Sequence, residues 1–302
     1  MQEIIHIKSI TEVNKLFGTV SPKHPLVTVM WARDMPDFSQ HFGIKYNTDL
    51  FSVSLKDGIA GKLGYGRNTY DFEDGTMVFS IPNQVLSIEE KTIAEDAKGW
   101  VLIFHPDLIR KSELGKSIST YSFFDYEVHE ALHLSEDEKA TLTGLVQKIE
   151  TEINQNIDKH SQKLIVSTIE LMLDYCNRYY DRQFYIRTNM HQDHVSEFES
   201  FLKAYFNSEK PSELGLPSVK YCGEQLNMSS NYLSDLLKKE TGKSAKDHIY
   251  AFVVNRAKNK LLGTTASVSE IAYDLGFEYP QHFSKLFKKQ TGMSPAKYRV
   301  QN

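Results

Sequence analysis

The stretch SVKYCGEQLNM (residues 218–228) is matched 49 residues later by SVSEIAYDLGF (267–277). Val219 aligns with Val268, Cys222 with Ile271, Gly223 with Ala272, Leu226 with Leu275 and Met228 with Phe277. Immediately downstream, SNYLSDLLKKETGKS (230–244) is matched at an offset of 50 by PQHFSKLFKKQTGMS (280–294), with Ser, Leu, Lys, Lys, Thr, Gly and Ser in common. Self-similarity of this kind marks one supersecondary unit used twice. The single inserted residue falls between the two halves of the unit, where a turn between helices absorbs it.

Each copy reads as a short helix, a tight turn and a second helix. In the first helix apolar residues recur at intervals of three and four, and a small residue, Gly223 or Ala272, lets the two helices approach closely. In the second helix Leu233, Leu236 and Leu237, or Phe283, Leu286 and Phe287, make the inward face. That leaves Asn231, Ser234, Asp235 and Lys238 pointing outward from one copy, and Gln281, Ser284, Lys285 and Lys288 from the other, with Lys239 and Lys289 next in line. Short polar groups for base edges beside lysines for phosphates are what a helix in the major groove presents. Two helical hairpins with ordinary hydrated surfaces would explain the packing, but not a polar face repeated with paired lysines. Between the copies, HIYAFVVNRAKNKLL (248–262) keeps a helical period without a break. At about 1.5 Å per residue, such a helix is expected to hold two reading helices roughly one DNA turn, about 34 Å, apart.

Charge follows the same division. From Pro217 onward 13 Lys and Arg stand against 7 Asp and Glu, a balance of +6, whereas the preceding residues carry 22 basic and 32 acidic ones, a balance of −10. A basic segment behind an acidic body points to an anionic partner at the C-terminal end. The length of 302 residues suits two domains, by a prior of roughly 100–200 residues each.

Up to Pro106 the pattern is that of strands: PLVTVMWA (25–32), LFSVSL (50–55), MVFSIP (77–82), QVLSI (84–88) and WVLIF (100–104), separated by turn signals such as KDG, GYGRN and EDG. Short strands so punctuated predict a small antiparallel barrel or sandwich. After Ser135 the period becomes helical. Ser135 and Glu138 form a capping box ahead of Leu142, Leu145, Val146, Ile149 and Ile153. A second helix is expected near 162–180, with Leu164, Ile165, Thr168, Leu171, Met172, Tyr175 and Tyr179 on one broad face. NSEKPSELGLP (207–217) reads as a loop, and the domain boundary falls between about Arg182 and His194.

The run SVSEIAYDLGFEYPQHFSKLFKKQTGMSPAKYR (267–299) is similar to the signature of AraC/XylS-type transcriptional regulators, and GLPSVKYCGEQLNMSSNYLSDLLKKETGKS (215–244) resembles the first helix-turn-helix of that family. In that family the second helix of each unit enters the major groove. The resemblance implies base-edge contacts for Asn231, Ser234 and Asp235, then Gln281, Ser284 and Lys285, with Lys238, Lys239, Lys288 and Lys289 left to phosphates. Pro280 occupies a further contact position but has no polar side chain or N–H, and suits the first turn of a helix. Asp235 departs from the pattern, because an acid facing DNA must accept from a cytosine amino group or lose affinity. More loosely, through phrases such as YDFEDGTMVFSIP (70–82), the N-terminal half resembles a cupin-like effector barrel followed by a helical dimerisation segment.

The expected architecture is α+β. A cupin-like antiparallel β-barrel with two following helices makes an effector-sensing and dimerisation domain over 1–182, its helical part at about 135–182. A linker covers 183–193. An all-α DNA-binding domain, 194–302, has helix-turn-helix units at about 217–244 and 266–294 joined by a linker helix. The resemblance implies double-stranded DNA as partner, a homodimer through 135–182 and a small-molecule effector or partner sensed by the barrel. It leaves room for contact with RNA polymerase and assigns no effector-binding residue and no cofactor.

Other chemistry competes less well. HEALH (129–133) has the spacing by which a zinc peptidase holds its metal on one helix face, with Glu130 as base. Here the capping box at Ser135 starts the helix only after His133, and the positions of the longer astacin-like form hold Glu136 and Lys139. Glu150 or Glu152 would have to serve as a third ligand. A metal in the barrel would depend on His24, His41 and His105, since no histidine lies between Phe42 and Phe104. The cluster Gly58, Gly61, Gly64, Gly66 and Gly75 lacks the Lys-Ser/Thr of a phosphate loop and reads as turns. Cys176 and Cys222 are expected as core residues of a reducing compartment. With no apolar run of 18 residues and no leader-like N-terminus, a cytoplasmic chain without a membrane span is expected. His282 faces either DNA or the turn. An architectural DNA-binding protein without an effector is the remaining alternative to a regulator.

Overall fold

The structure, a computed structural model, describes residues 4–18, 22–35, 42–65, 68–71, 75–94, 96–126, 130–189 and 194–301. His41, Gly66, most of the EDG turn, His129 and residues 190–193 of the linker reading lie outside the described residues. The chain divides into two compact units, Met1–Gln183 and Phe184–Asn302.

The first unit opens with β1 (Ile4–Ile7), α1 (Ile10–Leu16), β2 (Val27–Trp31), β3 (Lys45–Thr48), β4 (Phe51–Lys56), β5 (Ile59–Tyr65) and β6 (Asn68–Asp71). It continues with β7 (Thr76–Ser80), β8 (Gln84–Ile93), β9 (Trp100–Phe104), α2 (Pro106–Ile109), α3 (Glu113–Ser117), β10 (Leu132–His133), α4 (Glu136–Asn154) and α5 (Ser161–Asn189). The five strands expected from apolar runs are present as β2, β4, β7, β8 and β9. Rather than one closed antiparallel barrel, the described strands form two five-stranded sheets, ordered β1-β3-β8-β5-β6 and β10-β7-β4-β9-β2, and β1 joins β3 in parallel. The glycine-containing stretch 59–65, read as turns, is a strand paired on both sides, to β6 and β8. Glycine disfavours strands intrinsically, but two ladders of backbone hydrogen bonds outweigh that preference.

Tryptophans tie the second sheet to the helices. Trp100 is fully buried, and its Nε1 donates to Thr143 Oγ1 of α4 at 3.1 Å; Trp31 Nε1 donates to Glu150 Oε1 at 2.9 Å. Glu150 is thereby engaged as a structural acceptor. The expected capping box starts α4: Ser135 Oγ accepts from Glu138 N at 3.4 Å while Glu138 Oε2 accepts from Ser135 N at 2.9 Å. The five apolar residues foreseen on α4 are all buried. α5 is longer than expected and continues to Asn189, so the stretch read as linker begins as helix. Its buried face is also rotated from the one read in the sequence. Ile165, Ile169, Met172, Cys176 and Tyr179 are buried, whereas Leu164 is 53% and Leu171 46% exposed.

The second unit is helical: α6 (His194–Phe206), α7 (Lys210–Leu214), α8 (Val219–Leu226), α9 (Ser230–Thr241), α10 (Ala245–Gly263), α11 (Val268–Asp274), α12 (Pro280–Thr291) and α13 (Pro295–Gln301). The segment 207–217 is not all loop, since α7 forms there with Pro211 in its first turn, where a missing N–H is harmless. α10 packs against α9, α11, α12 and α13, and buries Ile249, Val253, Val254, Ala257 and Leu261. Arg299 of α13 locks the end of α10 to the following loop, donating to Leu261 O at 3.0 Å and to Ala266 O at 2.6 Å. Among the described residues no helix is long and apolar enough to cross a membrane.

Candidate nucleic-acid interface

The sequence repeat is a repeat of local structure. Ser218 caps α8 by accepting from Tyr221 N at 3.1 Å, and Ser267 caps α11 by accepting from Glu270 N at 3.2 Å. The first helix of each unit ends in a left-handed residue at the same repeat position, Asn227 with φ 55° and Gly276 with φ 88°. Only glycine, or a short polar residue such as asparagine, takes this conformation readily. Gly223 meets the turn closely: a Cβ there would stand 2.4 Å from Met228 O. Its counterpart Ala272 is fully buried. Both second helices end on a left-handed glycine, Gly242 (φ 76°) and Gly292 (φ 82°). Thr241 and Thr291 close each end alike, donating to Leu237 O at 2.7 Å and Phe287 O at 2.8 Å. One difference lies at the helix starts. Ser229 caps α9, whereas α12 begins with Pro280 and its preceding Tyr279 makes no side-chain cap, which puts Pro280 in the structural role foreseen for it.

The inward residues pack as the spacing required. Leu233, Leu236, Leu237, Phe283 and Phe287 are buried, with Phe283 and Phe287 rings 5.7 Å apart; Leu286 is only partly buried. On α9, Asn231, Ser234 and Asp235 are partly buried while Lys238 and Lys239 are exposed. On α12, Gln281, Lys285, Lys288 and Lys289 are exposed and Ser284 is partly buried. Residues three, four and seven apart share one helix face, so each set forms one stripe. The second stripe is the more open, because Asn231 and Asp235 also hold interactions within the protein. His282 is exposed, its ring edge-on to Tyr279 at 5.4 Å. Tyr279, 52% exposed, stands at the leading end of α12 and was not singled out by the repeat, because its counterpart Ser229 is a capping residue.

The competing chemistry is placed elsewhere. Within HEALH, Leu132–His133 are a strand opposite Met77 and Thr76 rather than part of a helix. Gln183 Oε1 accepts from His133 N at 2.9 Å, and Arg182 Nη2 donates to His133 O at 2.7 Å. This extended backbone removes the shared helix face that two histidines four apart would need, and Glu130 is buried. His24 Nδ1 accepts from Leu26 N and His105 Nδ1 from Asp107 N. Among the described residues no three His, Cys, Asp or Glu side chains cluster so as to hold a metal ion. Both cysteines are free and buried; burial pushes the Cys222 thiol up to about 12 and raises that of Cys176 as well.

Residues 222–301 match the family model described as "Helix-turn-helix domain". The Msm operon regulatory protein of Streptococcus mutans is 35% identical over 115 residues, which cover 36% of this chain and 41% of that protein. An uncharacterized HTH-type transcriptional regulator of Escherichia coli, YijO, is 26% identical over 64% of this chain and 65% of its own. Three relatives at 35 to 37% identity are spanned for less than half their length. Among solved structures, the C-terminal domain of AraT, a response regulator from Geobacillus stearothermophilus, is 30% identical over 37% of this chain and 87% of that one, with a TM-score of 0.33. The matched family is one of helix-turn-helix domains and not of enzymes. With the duplicated helix, turn and second helix, the C-terminal unit of this chain is a double helix-turn-helix DNA-binding domain of the AraC/XylS type.

Proposed function

We propose that the whole chain is a sequence-specific transcriptional regulator that reads two successive major-groove segments of duplex DNA with α9 and α12. The observation that carries this reading is the duplicated stripe of short polar residues and lysines on the second helix of each unit. Gln281, Ser284 and Lys285 reach base edges, with Asn231, Ser234 and Asp235 in the first unit; Lys238, Lys239, Lys288 and Lys289 hold phosphates. The 19 residues of α10 make a helix about 28 Å long at 1.5 Å per residue, which supports two reading helices set about one DNA turn apart. Because Asn231 and Asp235 already have partners in the protein, the second unit contributes more of the specificity.

The N-terminal unit, 1–182 in this reading, senses an effector and dimerises. Leu164, Thr168, Leu171 and Tyr175 follow one another at intervals of 4, 3 and 4 along α5, with Leu164 and Leu171 about half exposed. That spacing is the seam of a helix that packs against a second copy. Contact with RNA polymerase belongs to the same reading. A shift assay tests it: specific DNA should be bound in a salt-sensitive manner, and equal affinity for unrelated sequences would favour an architectural protein instead.

A further inference from the structure

The leading end of α12 departs from the repeat in its aromatic residues. In the first unit Ser229 caps α9, and Tyr232, three residues on, is 2% exposed and belongs to the core. In the second unit the same positions hold Tyr279 and His282, and both rings lie at the surface. Tyr279 is 52% exposed, and its ring meets that of His282 at 67° with centroids 5.4 Å apart. Tyr279 makes no side-chain cap for the helix, and the core beneath is filled by Phe283 and Phe287. A large aromatic side chain left half in water contributes little to the fold and offers its apolar body to a partner.

The place of the pair on α12 says what that partner presents. His282, Lys285 and Lys289 follow one another at intervals of three and four beside Gln281, Ser284 and Lys288, so Tyr279 and His282 extend the outward stripe at its N-terminal end. In a helix-turn-helix unit the N-terminal residues of the second helix approach base edges. The bases of a duplex are stacked on one another, so a ring in the major groove meets their edges, and the apolar group displayed there is the C5 methyl of thymine. A phosphate is the poorer match. The Tyr279 hydroxyl donates to the Glu278 carboxylate, which raises the phenol above its ordinary value, and the same carboxylate repels a phosphate oxygen. We propose that the Tyr279 ring packs on the C5 methyl of a thymine in or beside the block read by α12, which makes Tyr279 a specificity-determining residue of the second unit. The proposal rests on reading α12 as a helix in the major groove. It gives the second unit an apolar contact that the first, with Ser229 at that position, lacks.

The test uses the full chain and the motif it selects from random duplex DNA, with the α12 block identified as the one that Gln281→Ala relaxes. That block or its flank should hold a thymine. Replacing each such thymine in turn by deoxyuridine removes only the methyl, and at one position wild-type affinity should fall about fourfold, the worth of one buried methyl group. Tyr279→Ala should bind the thymine and uracil duplexes equally, whereas Tyr279→Phe, which keeps the ring, should keep the preference. The wild-type comparison needs no variant, and both substitutions leave the core untouched. A motif with no thymine there, a wild type indifferent to the methyl at every position, or a preference that survives Tyr279→Ala would overturn the proposal. So would a loss in Tyr279→Phe as complete as in Tyr279→Ala, which would assign the contact to the hydroxyl. A discrete motif without methyl dependence sinks the thymine contact alone, and the absence of any discrete motif sinks the regulator reading and the contact with it.

Discussion

Gly223 shows how steric demand at one residue shapes a reading unit. Its missing Cβ leaves room for Met228 O, 2.4 Å from where that atom would stand. Gly223→Ala is expected to lower stability by roughly 1–3 kcal/mol, seen as a lower urea midpoint. At the proposed interface, Gln281→Ala or Lys285→Ala should weaken specific binding by about 1–3 kcal/mol and relax the motif at one position. Lys288→Ala should weaken all sequences alike and reduce the salt slope by about one. Smaller losses for Asn231→Ala and Asp235→Ala, measured in the same titrations, would fit the more enclosed first stripe. Lys56 offers a pH test. Burial holds its ammonium at about 8, below the ordinary lysine value of 10.5, so the folded state binds protons less readily and stability rises as pH climbs from about 8 to 10.5. Lys56→Met should therefore melt higher than wild type at pH 7, with the gap closing by pH 10.5.

Elements with strong local signals were legible in the sequence, and those made by distant partners were not. The reading units were legible because apolar residues, a small residue and a polar stripe with paired lysines recur at fixed offsets. The strand at 59–65 was not, because its two glycines speak for turns while its ladders come from β6 and β8. The apolar face of α5 was misread because helical spacing groups Leu164 and Leu171 with Ile165 and Met172, and only the packed unit shows which are covered. That misreading has a use. Leu171→Lys on the exposed seam should turn a dimer into a monomer in sedimentation velocity without lowering the melting temperature by more than a few degrees.

At the scale of the whole molecule, an acidic N-terminal body carries a basic C-terminal reading unit, +6 from Pro217 onward against −10 before it. Under the proposed function, the basic charge of the C-terminal residues is what favours their meeting a polyanion. In the proposed reading, the two reading helices joined by one continuous α10 set the spacing of what is read. The most direct measurement is selection of bound fragments from random duplex DNA by the full chain. The account predicts a discrete motif with two conserved blocks about 10–10.5 base pairs apart for each chain, with the block read by α12 the better defined. Recovery of no enriched motif, with unrelated sequences bound equally well, would contradict it.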